Sequence, residues 1–314
     1  MSTQPAILVR DLHKRYGDIH AVQGITFSVQ EGEIYSLLGP NGAGKSTTIS
    51  MISCLQEPDA GEVLVLGHST AREPQQVKAA LGVVPQDIAI YPDLSARENM
   101  SFWGKMYGLR GKALDRRIDE VLETIGLTDR QRGATSKFSG GMKRRLNVGI
   151  ALLHRPRLII MDEPTVGIDP QSRRSILDSV LELRRAGATI LYTTHYMEEA
   201  QELSDRIAIM DHGRILAEGT HDDLVRLVGE LDRIDLTVDA PPDRVVPTWR
   251  GLPDVAEVIS EDGQLTVLAR DSNVALPHLF EASNRAGVRI GSVAIREPNL
   301  ETVFLHLTGR ALRD

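Results

Sequence analysis

Residues 39–46 read GPNGAGKS, the spacing G-x-x-x-x-G-K-S. Glycines at these positions let successive backbone N–H groups turn inward around an anion, and a helix starting near Lys45 adds its positive end. In such a loop Lys45 reaches the outer phosphates of a nucleotide and the Ser46 hydroxyl ligates Mg²⁺. A second cluster, Asp162 and Glu163, closes the apolar run LIIMDEP. By itself an Asp-Glu pair at a strand end is more often a helix-capping or solvated pair. Beside a phosphate loop, Asp162 on a neighbouring strand is the expected metal partner. Glu163, pointing elsewhere, is placed to take a proton from attacking water. A third cluster, FSGGM at 138–142, puts Ser139, Gly140 and Gly141 at the start of a helix. It reads either as a capping turn or as a second phosphate-binding helix end, and local chemistry leaves both open. The basic run Lys143, Arg144, Arg145 that follows reads by itself as a solvated face.

These clusters need strands and helices to hold them. AILVRDLHKRYG and AVQGITFSVQEGE alternate as antiparallel strands do, and EIYSLLG is a short apolar run leading into the glycine loop and the helix STTISMISCL. EPDAGEVLVLG reads as a hairpin or short strand, and LGVVPQ as a buried strand ending at Gln86. Between Leu94 and about Thr135 the periodicity turns helical, with Ile118, Val121, Leu122 and Ile125 on one face. RPRLIIMDEP and ATILYTTH are further buried strands separated by a helix. Strands alternating with helices imply a largely parallel sheet whose ligand sites lie beyond the carboxyl ends of the strands, where all the polar clusters fall. From about 231 to 314 the pattern is that of a small α+β domain. It comprises the strand RIDLTVDA, a hairpin VAEVISEDGQLTVLA turning at Asp262 and Gly263, a helix, the strand VRIGSVAI and a last helix. That helix would be N-capped by Asn299, with Leu300, Val303, Phe304 and Leu307 on one face.

The chain has 314 residues, 41% of them hydrophobic and 25% charged, the usage of an ordinary globular protein. Its length suggests about two domains. From His221 onward 16 acids face 10 arginines, a balance of -6 out of a total of -7, so the first 220 residues are nearly neutral and a boundary is expected near Gly219. The single cysteine, Cys54, excludes an internal disulfide and a cysteine cluster of zinc spacing, and reads as a small buried helix residue. No apolar run approaches the roughly 18–20 residues of a membrane span, and the opening MSTQPAILVRD lacks a signal-peptide pattern, so a cytoplasmic chain is expected. Mild acidity argues against a nucleic-acid partner.

In order along residues 5–220, these segments resemble the nucleotide-binding subunit of ATP-binding cassette (ABC) transporters. They comprise the Walker A loop GPNGAGKST, the glutamine loop at Gln86, the signature FSGGMKRR and the Walker B strand LIIMDEP. The D-loop VGIDP with Asp169 and the switch histidine His195 in TTHYMEEA follow. The resemblance implies a P-loop NTPase of α/β class. It would have a mixed-sheet core, an antiparallel β subdomain and a helical insertion at about 87–155, followed by the small domain at 231–314. It implies ATP and Mg²⁺ as cofactors. ATP would be held by Gly39, Pro40, Asn41, Gly42, Ala43, Gly44, Lys45, Ser46 and Thr47, with Tyr16 stacked on adenine and Gln86, Ser46 and Asp162 at the metal. Lys45, Glu163 and His195 would carry hydrolysis, His195 holding the γ-phosphate and Glu163 in place. Ser139, Gly140 and Gly141 would bind the γ-phosphate held by the opposite subunit, and Asp169 would belong to the nucleotide-binding set. Two departures stand out: Phe138 where many members have leucine, and Met142 where many have glutamine.

FSGGMKRRL, YPDLSARENMSFWGKMYGL and the ending PNLETVFLHLTG further resemble the drug-export and sodium-export branch, typified by daunorubicin/doxorubicin resistance ATP-binding proteins. There the ATPase is a separate polypeptide, which implies a homodimer paired with a separate multi-helix permease and placed peripherally on the inner membrane face. The segment from Asp87 to Gly108 is the expected docking surface for a permease helix. A soluble ABC ATPase acting on ribosomes or DNA would more often show two cassettes or a long coiled coil. An accessory ATPase, or one for an ion or polysaccharide exporter, is the other alternative.

Overall fold

The computed structural model describes residues 4–227, 231–261, 264–296 and 299–309. The chain divides into two compact units, up to Glu218 and from Gly219 onward.

The first unit opens with strands β1 (Ile7–Tyr16) and β2 (Ile19–Val29), then β3 (Ile34–Leu38), helix α1 (Lys45–Ile52), β4 (Ala60–Val65), β5 (His68–Ser69), α2 (Pro74–Ala80) and β6 (Leu81–Val84). Helices α3 (Ala96–Met106), α4 (Gly111–Thr124) and α5 (Gly140–Leu152) follow. The unit then alternates through β7 (Leu158–Asp162), α6 (Pro170–Arg185), β8 (Thr189–Thr194), α7 (Met197–Leu203), β9 (Arg206–Asp211) and β10 (Arg214–Gly219). The alternating N-terminal runs form an antiparallel sheet in the order β2-β1-β4-β5, and a six-stranded sheet runs β10-β9-β3-β8-β7-β6. The pairs of β3 with β8 and β9, of β8 with β7, and of β7 with β6 are parallel.

Both faces of the six-stranded sheet are covered, so its inner strands read as continuous apolar runs rather than alternating ones. Tyr35, Leu37, Ile160 and Leu191 pack with Ile7, Val9, Phe27 and the α1 residues Met51 and Ile52 on one side. Ile34, Ile159, Met161 and Tyr192 pack on the other with α5 and, through it, with the α4 stripe Ile118, Val121, Leu122 and Ile125. Helix α3 starts in a reciprocal capping box, Ser95 with Glu98. The two departures in the signature sequence are apolar for a packing reason. Phe138 is buried in this second core, and Met142 packs partly against it.

The second unit contains α8 (His221–Leu227), β11 (Asp232–Val238), α9 (Val246–Trp249), β12 (Val255–Glu261), β13 (Gln264–Ala269), α10 (Ser272–Arg285), β14 (Ile290–Arg296) and α11 (Leu300–Thr308). Its sheet is antiparallel in the order β12-β13-β11-β14. The expected turn residues Asp262 and Gly263 lie outside the described residues, but Glu261 pairs with Gln264 across it. Trp249 is fully buried and donates its indole N–H to Ser283 Oγ at 3.2 Å. Asn299 caps α11 by accepting the Thr302 N–H at 3.0 Å. The buried face of α11 is Leu300, Thr302, Val303, Phe304 and Leu305, so Leu307, expected inward, sits half-exposed. Among the described residues no helix is long and apolar enough to cross a membrane.

Candidate functional site

Parallel register assembles the site. Leu38 pairs with Thr194 and Thr193 with Asp162, so β3, β8 and β7 end level and deliver Gly39, His195 and Glu163 to one edge. Asp162 is not on the strand next to β3; β8 lies between them. Thr193 bridges the gap by donating its hydroxyl to Asp162 Oδ1 at 2.7 Å, while Ser46 Oγ donates to the same oxygen at 3.2 Å.

The glycine loop leaves β3 under steric pressure. A Cβ on Gly39 would stand 2.0 Å from the Met210 carbonyl oxygen, and Gly44, at φ 103°, would place one 2.4 Å from the Ala21 carbonyl oxygen. Only glycine fits the second position, where both backbone angle and space forbid a side chain. Behind the loop, the Gly213 N–H donates to the Ala43 carbonyl at 2.9 Å, pinning it to the turn between β9 and β10. Lys45 folds back under the loop, donating to the carbonyls of Gly39 at 2.6 Å and Pro40 at 3.0 Å. The same Nζ lies 2.9 Å from Glu163 Oε1, and both side chains are buried.

Glu163 has φ 43°, a left-handed conformation that costs a non-glycine residue about 1–3 kcal/mol and clusters at functional sites. Its N–H is held by Thr193, through the carbonyl at 3.2 Å and the hydroxyl at 3.0 Å. Glu163 thereby lines the cleft, while Asp162 lies beneath it against Ser46. Glu163 Oε2 lies 3.2 Å from His195 Nδ1. Burial pushes the Asp162 carboxyl above its ordinary range, with Thr193 and Ser46 hydrogen bonds opposing the shift.

Over these residues opens a cleft of about 450 Å³, lined by Tyr16, Asn41, Gly42, Ala43, Gly44, Lys45, Ser46, Thr47, Gln86 and Glu163. Ile19, His20, Ala21, Gln23 and His212 complete its wall; they come from the β1–β2 hairpin and the β9–β10 turn and carry no motif. Gly39 and Pro40 serve through their carbonyls on Lys45. Tyr16 is exposed at the rim and its hydroxyl donates to Gln56 Oε1.

Ser139, Gly140, Gly141 and Asp169 are not part of this cleft wall. Ser139 caps α5, its oxygen accepting the Met142 N–H at 3.2 Å, and Ser139 and Gly140 are solvent-exposed. Asp169 caps α6 by accepting the Ser172 N–H at 3.0 Å, a bond that holds its carboxyl below the ordinary range. A Cβ on Gly141 would meet Ser172 Oγ at 2.1 Å, so the two helix starts are packed together.

One functional residue departs from its sequence reading. Arg144 is not on a solvated face; it is buried and donates to the carbonyls of Pro85 at 2.7 Å and Gln86 at 2.6 Å. Asn147, one turn on, accepts the Ala89 N–H at 3.2 Å. The helix begun by Ser139 is therefore stapled to the loop that carries Gln86 into the cleft. The i, i+3 spacing of Arg144 and Asn147 was the available signal.

A family profile described as ABC transporter matches residues 22–166. The chain is 48% identical over 307 residues to the linearmycin resistance ATP-binding protein LnrL of Bacillus subtilis, covering 97% of this chain and 98% of that one. It is 39% identical over 305 residues to the daunorubicin resistance ATP-binding protein DrrA3 of Streptomyces coeruleorubidus, covering 97% and 96%. Its fold is similar to the dimeric structure of an ATP-binding cassette in a post-hydrolysis state bound to ADP and Pi. That match has a TM-score of 0.62 and 26% identity, over 68% of this chain and 98% of that one. The chain accordingly belongs to the ATP-binding proteins of ABC transporters, in the drug-resistance export subfamily, and is an ABC transporter ATPase.

Proposed function

We propose that this ATPase works as a head-to-tail pair in which each phosphate loop presents ATP to the Ser139–Gly141 helix start of the other chain, and that the pair drives a separate membrane permease. The observation that carries this reading is the separation within one chain. The cleft holds Lys45, Ser46, Gln86 and Glu163, while Ser139 and Gly140 face solvent outside its wall. A helix N-terminus with exposed N–H groups is suited to a phosphate, and a symmetric pair completes two equivalent sites.

Magnesium suits the donors present. The Ser46 hydroxyl and one Asp162 carboxylate oxygen meet at 3.2 Å, with the Gln86 amide on the same cleft. No three-residue His, Cys, Asp or Glu metal cluster occurs among the described residues, in keeping with a cation bound through one carboxylate, a hydroxyl and phosphate oxygens. Bound there, Mg²⁺ would neutralise charge on the β- and γ-phosphate oxygens. Lys45 binds the outer phosphates, Glu163 orients and deprotonates water, His195 holds Glu163 and the γ-phosphate, and Tyr16 offers its ring to adenine. Closure of the pair on two nucleotides and reopening after phosphate loss supply the stroke.

The cargo class is an antibiotic or similar small molecule, as the names of the linearmycin and daunorubicin resistance relatives suggest. The segment around Asp87 to Gly108 offers the permease an aromatic ridge, Tyr91 edge-on to Phe102 at 4.9 Å. The chain sits at the inner membrane face when docked. Expressing it with a candidate permease in a drug-sensitive host should raise the inhibitory concentration of linearmycin or daunorubicin. Lys45→Ala should abolish that rise. Equal resistance from the Lys45→Ala chain would overturn the reading.

A further inference from the structure

Glu199, in α7, is a carboxylate outside the cleft with only 2% exposure. Its Oε2 accepts hydrogen bonds from the Tyr192 and Thr194 hydroxyls, both at 2.9 Å. Its Oε1 has no hydrogen-bond partner and lies 3.7 Å from Arg173 Nε, which is itself buried and unbonded. A buried carboxylate needs a cation, and Arg173 fills that need by charge at a distance just beyond hydrogen bonding. The guanidinium is not idle there: its carbon stands 4.1 Å from the centroid of the Tyr196 ring. The Tyr196 ring in turn lies against His195 in a tilted contact, centroids 4.2 Å apart at 41°, and the His195 Nδ1 reaches Glu163. Thr194 closes the loop, accepting the Tyr196 N–H at 2.9 Å while donating to Glu199.

The geometry points to Glu199, Arg173 and Tyr196 as positioning residues that set the His195 ring against Glu163 and couple that setting to the start of α6. Arg173 sits in the first turn of α6, its N–H on the Asp169 carbonyl at 2.8 Å. Movement of that helix start shifts the guanidinium relative to both Glu199 and Tyr196. Less than an ångström separates the present Nε–Oε1 distance from a hydrogen bond, so a small shift at Asp169 is transmitted as a change in the support under His195. A guanidinium over a ring face is suited to this, because the cation–ring attraction is not tied to one hydrogen-bond geometry.

The inference rests on the reading of His195 as the γ-phosphate contact, so His195→Ala is measured in parallel. In the full chain, Tyr196→Leu and Arg173→Gln are each expected to lower kcat for ATP hydrolysis by about tenfold, with KM and ATP affinity within about twofold. Tyr196→Phe, which keeps the ring, should restore the parent kcat. The double variant Tyr196→Leu with Arg173→Gln should be no slower than either single one, since both interrupt one chain of contacts. Parent turnover in Tyr196→Leu, or a Tyr196→Phe loss as large as that of Tyr196→Leu, would overturn the inference, as would losses that multiply in the double variant. If His195→Ala itself hydrolyses at the parent rate, the reading of His195 fails and takes the inference with it. A fall in His195→Ala alone sinks only the inference. Should Tyr196→Leu not fold, Arg173→Gln and Tyr196→Phe still decide the matter.

Discussion

Lys45 Nζ lies 2.9 Å from Glu163 Oε1, joining in one buried ion pair the side chains proposed to bind phosphate and to act on water. Removing one partner of such a pair leaves an uncompensated charge, typically at a cost of about 3–5 kcal/mol. Lys45→Ala should therefore lose ATP binding and also lower the melting temperature of the nucleotide-free protein. Adding Glu163→Gln to Lys45→Ala should recover most of the melting temperature without recovering binding. Equal melting temperatures for the parent and Lys45→Ala would show that the pair contributes nothing to stability.

The Arg144 clamp makes a prediction that concerns rigidity. Hydrogen bonds from a charged donor are worth about 1.5–3 kcal/mol, and Arg144→Ala leaves the carbonyls of Pro85 and Gln86 without one. Hydrogen exchange at residues 86–91 should accelerate in this variant, and ATP hydrolysis should fall while the α1 amides keep their protection. Unchanged exchange at 86–91 would mean that the loop is held by other contacts.

Asp162 has a raised pKa, with burial as the main cause. A carboxyl raised in the folded state favours folding below its ordinary pKa and opposes it once ionised above the raised value. Asp162→Asn should consequently be more stable than the parent at neutral pH, with the difference shrinking as pH falls through the raised pKa, and it should not turn over Mg²⁺–ATP. Chemical denaturation of both proteins across pH 4–8 checks the sign; a gap that widens toward acid contradicts it.

Gly141→Ala places a methyl 2.1 Å from Ser172 Oγ and 2.3 Å from its Cβ. Overpacking of this kind costs about 1–3 kcal/mol and pushes the starts of α5 and α6 apart. Ser172→Gly in the same chain should restore the melting temperature. If Gly141→Ala melts like the parent, the two helix starts are not in the tight contact described.

Much of the site could be read in the sequence because short motifs carry it. GPNGAGKS fixed the loop, Lys45 and Ser46, and LIIMDEP fixed the strand and its two acids. Alternation in AILVRDLHKRYG and the stripe Ile118, Val121, Leu122 and Ile125 marked a strand and a helix whose burial followed. What stayed hidden depends on contacts far apart in the chain. Arg144 and the Gln86 carbonyl are 58 residues apart, and nothing in KRR separates the buried Arg144 from the half-buried Lys143 before it. The placement of β8 between β3 and β7, with Thr193 bonded to Asp162, is likewise a matter of strand order. Periodicity reports which face of a strand is buried and says nothing of its neighbour. Leu307 illustrates a smaller limit: at a helix end the inward face drifts, and Leu305 takes the buried place.

The composite site is the central claim, and two chains fused in tandem test it most directly. In one fusion Lys45→Ala and Ser139→Arg occupy the same half; in the other they occupy opposite halves. All halves carry Glu163→Gln, so that bound ATP is retained. If each nucleotide is held between one chain's loop and the other's Ser139, opposite placement disables one site twice and leaves the second intact. The expected result is one ATP retained per fusion with opposite placement and none with same-half placement. The reverse pattern, one ATP with same-half placement and none with opposite placement, would show that each chain closes its own site.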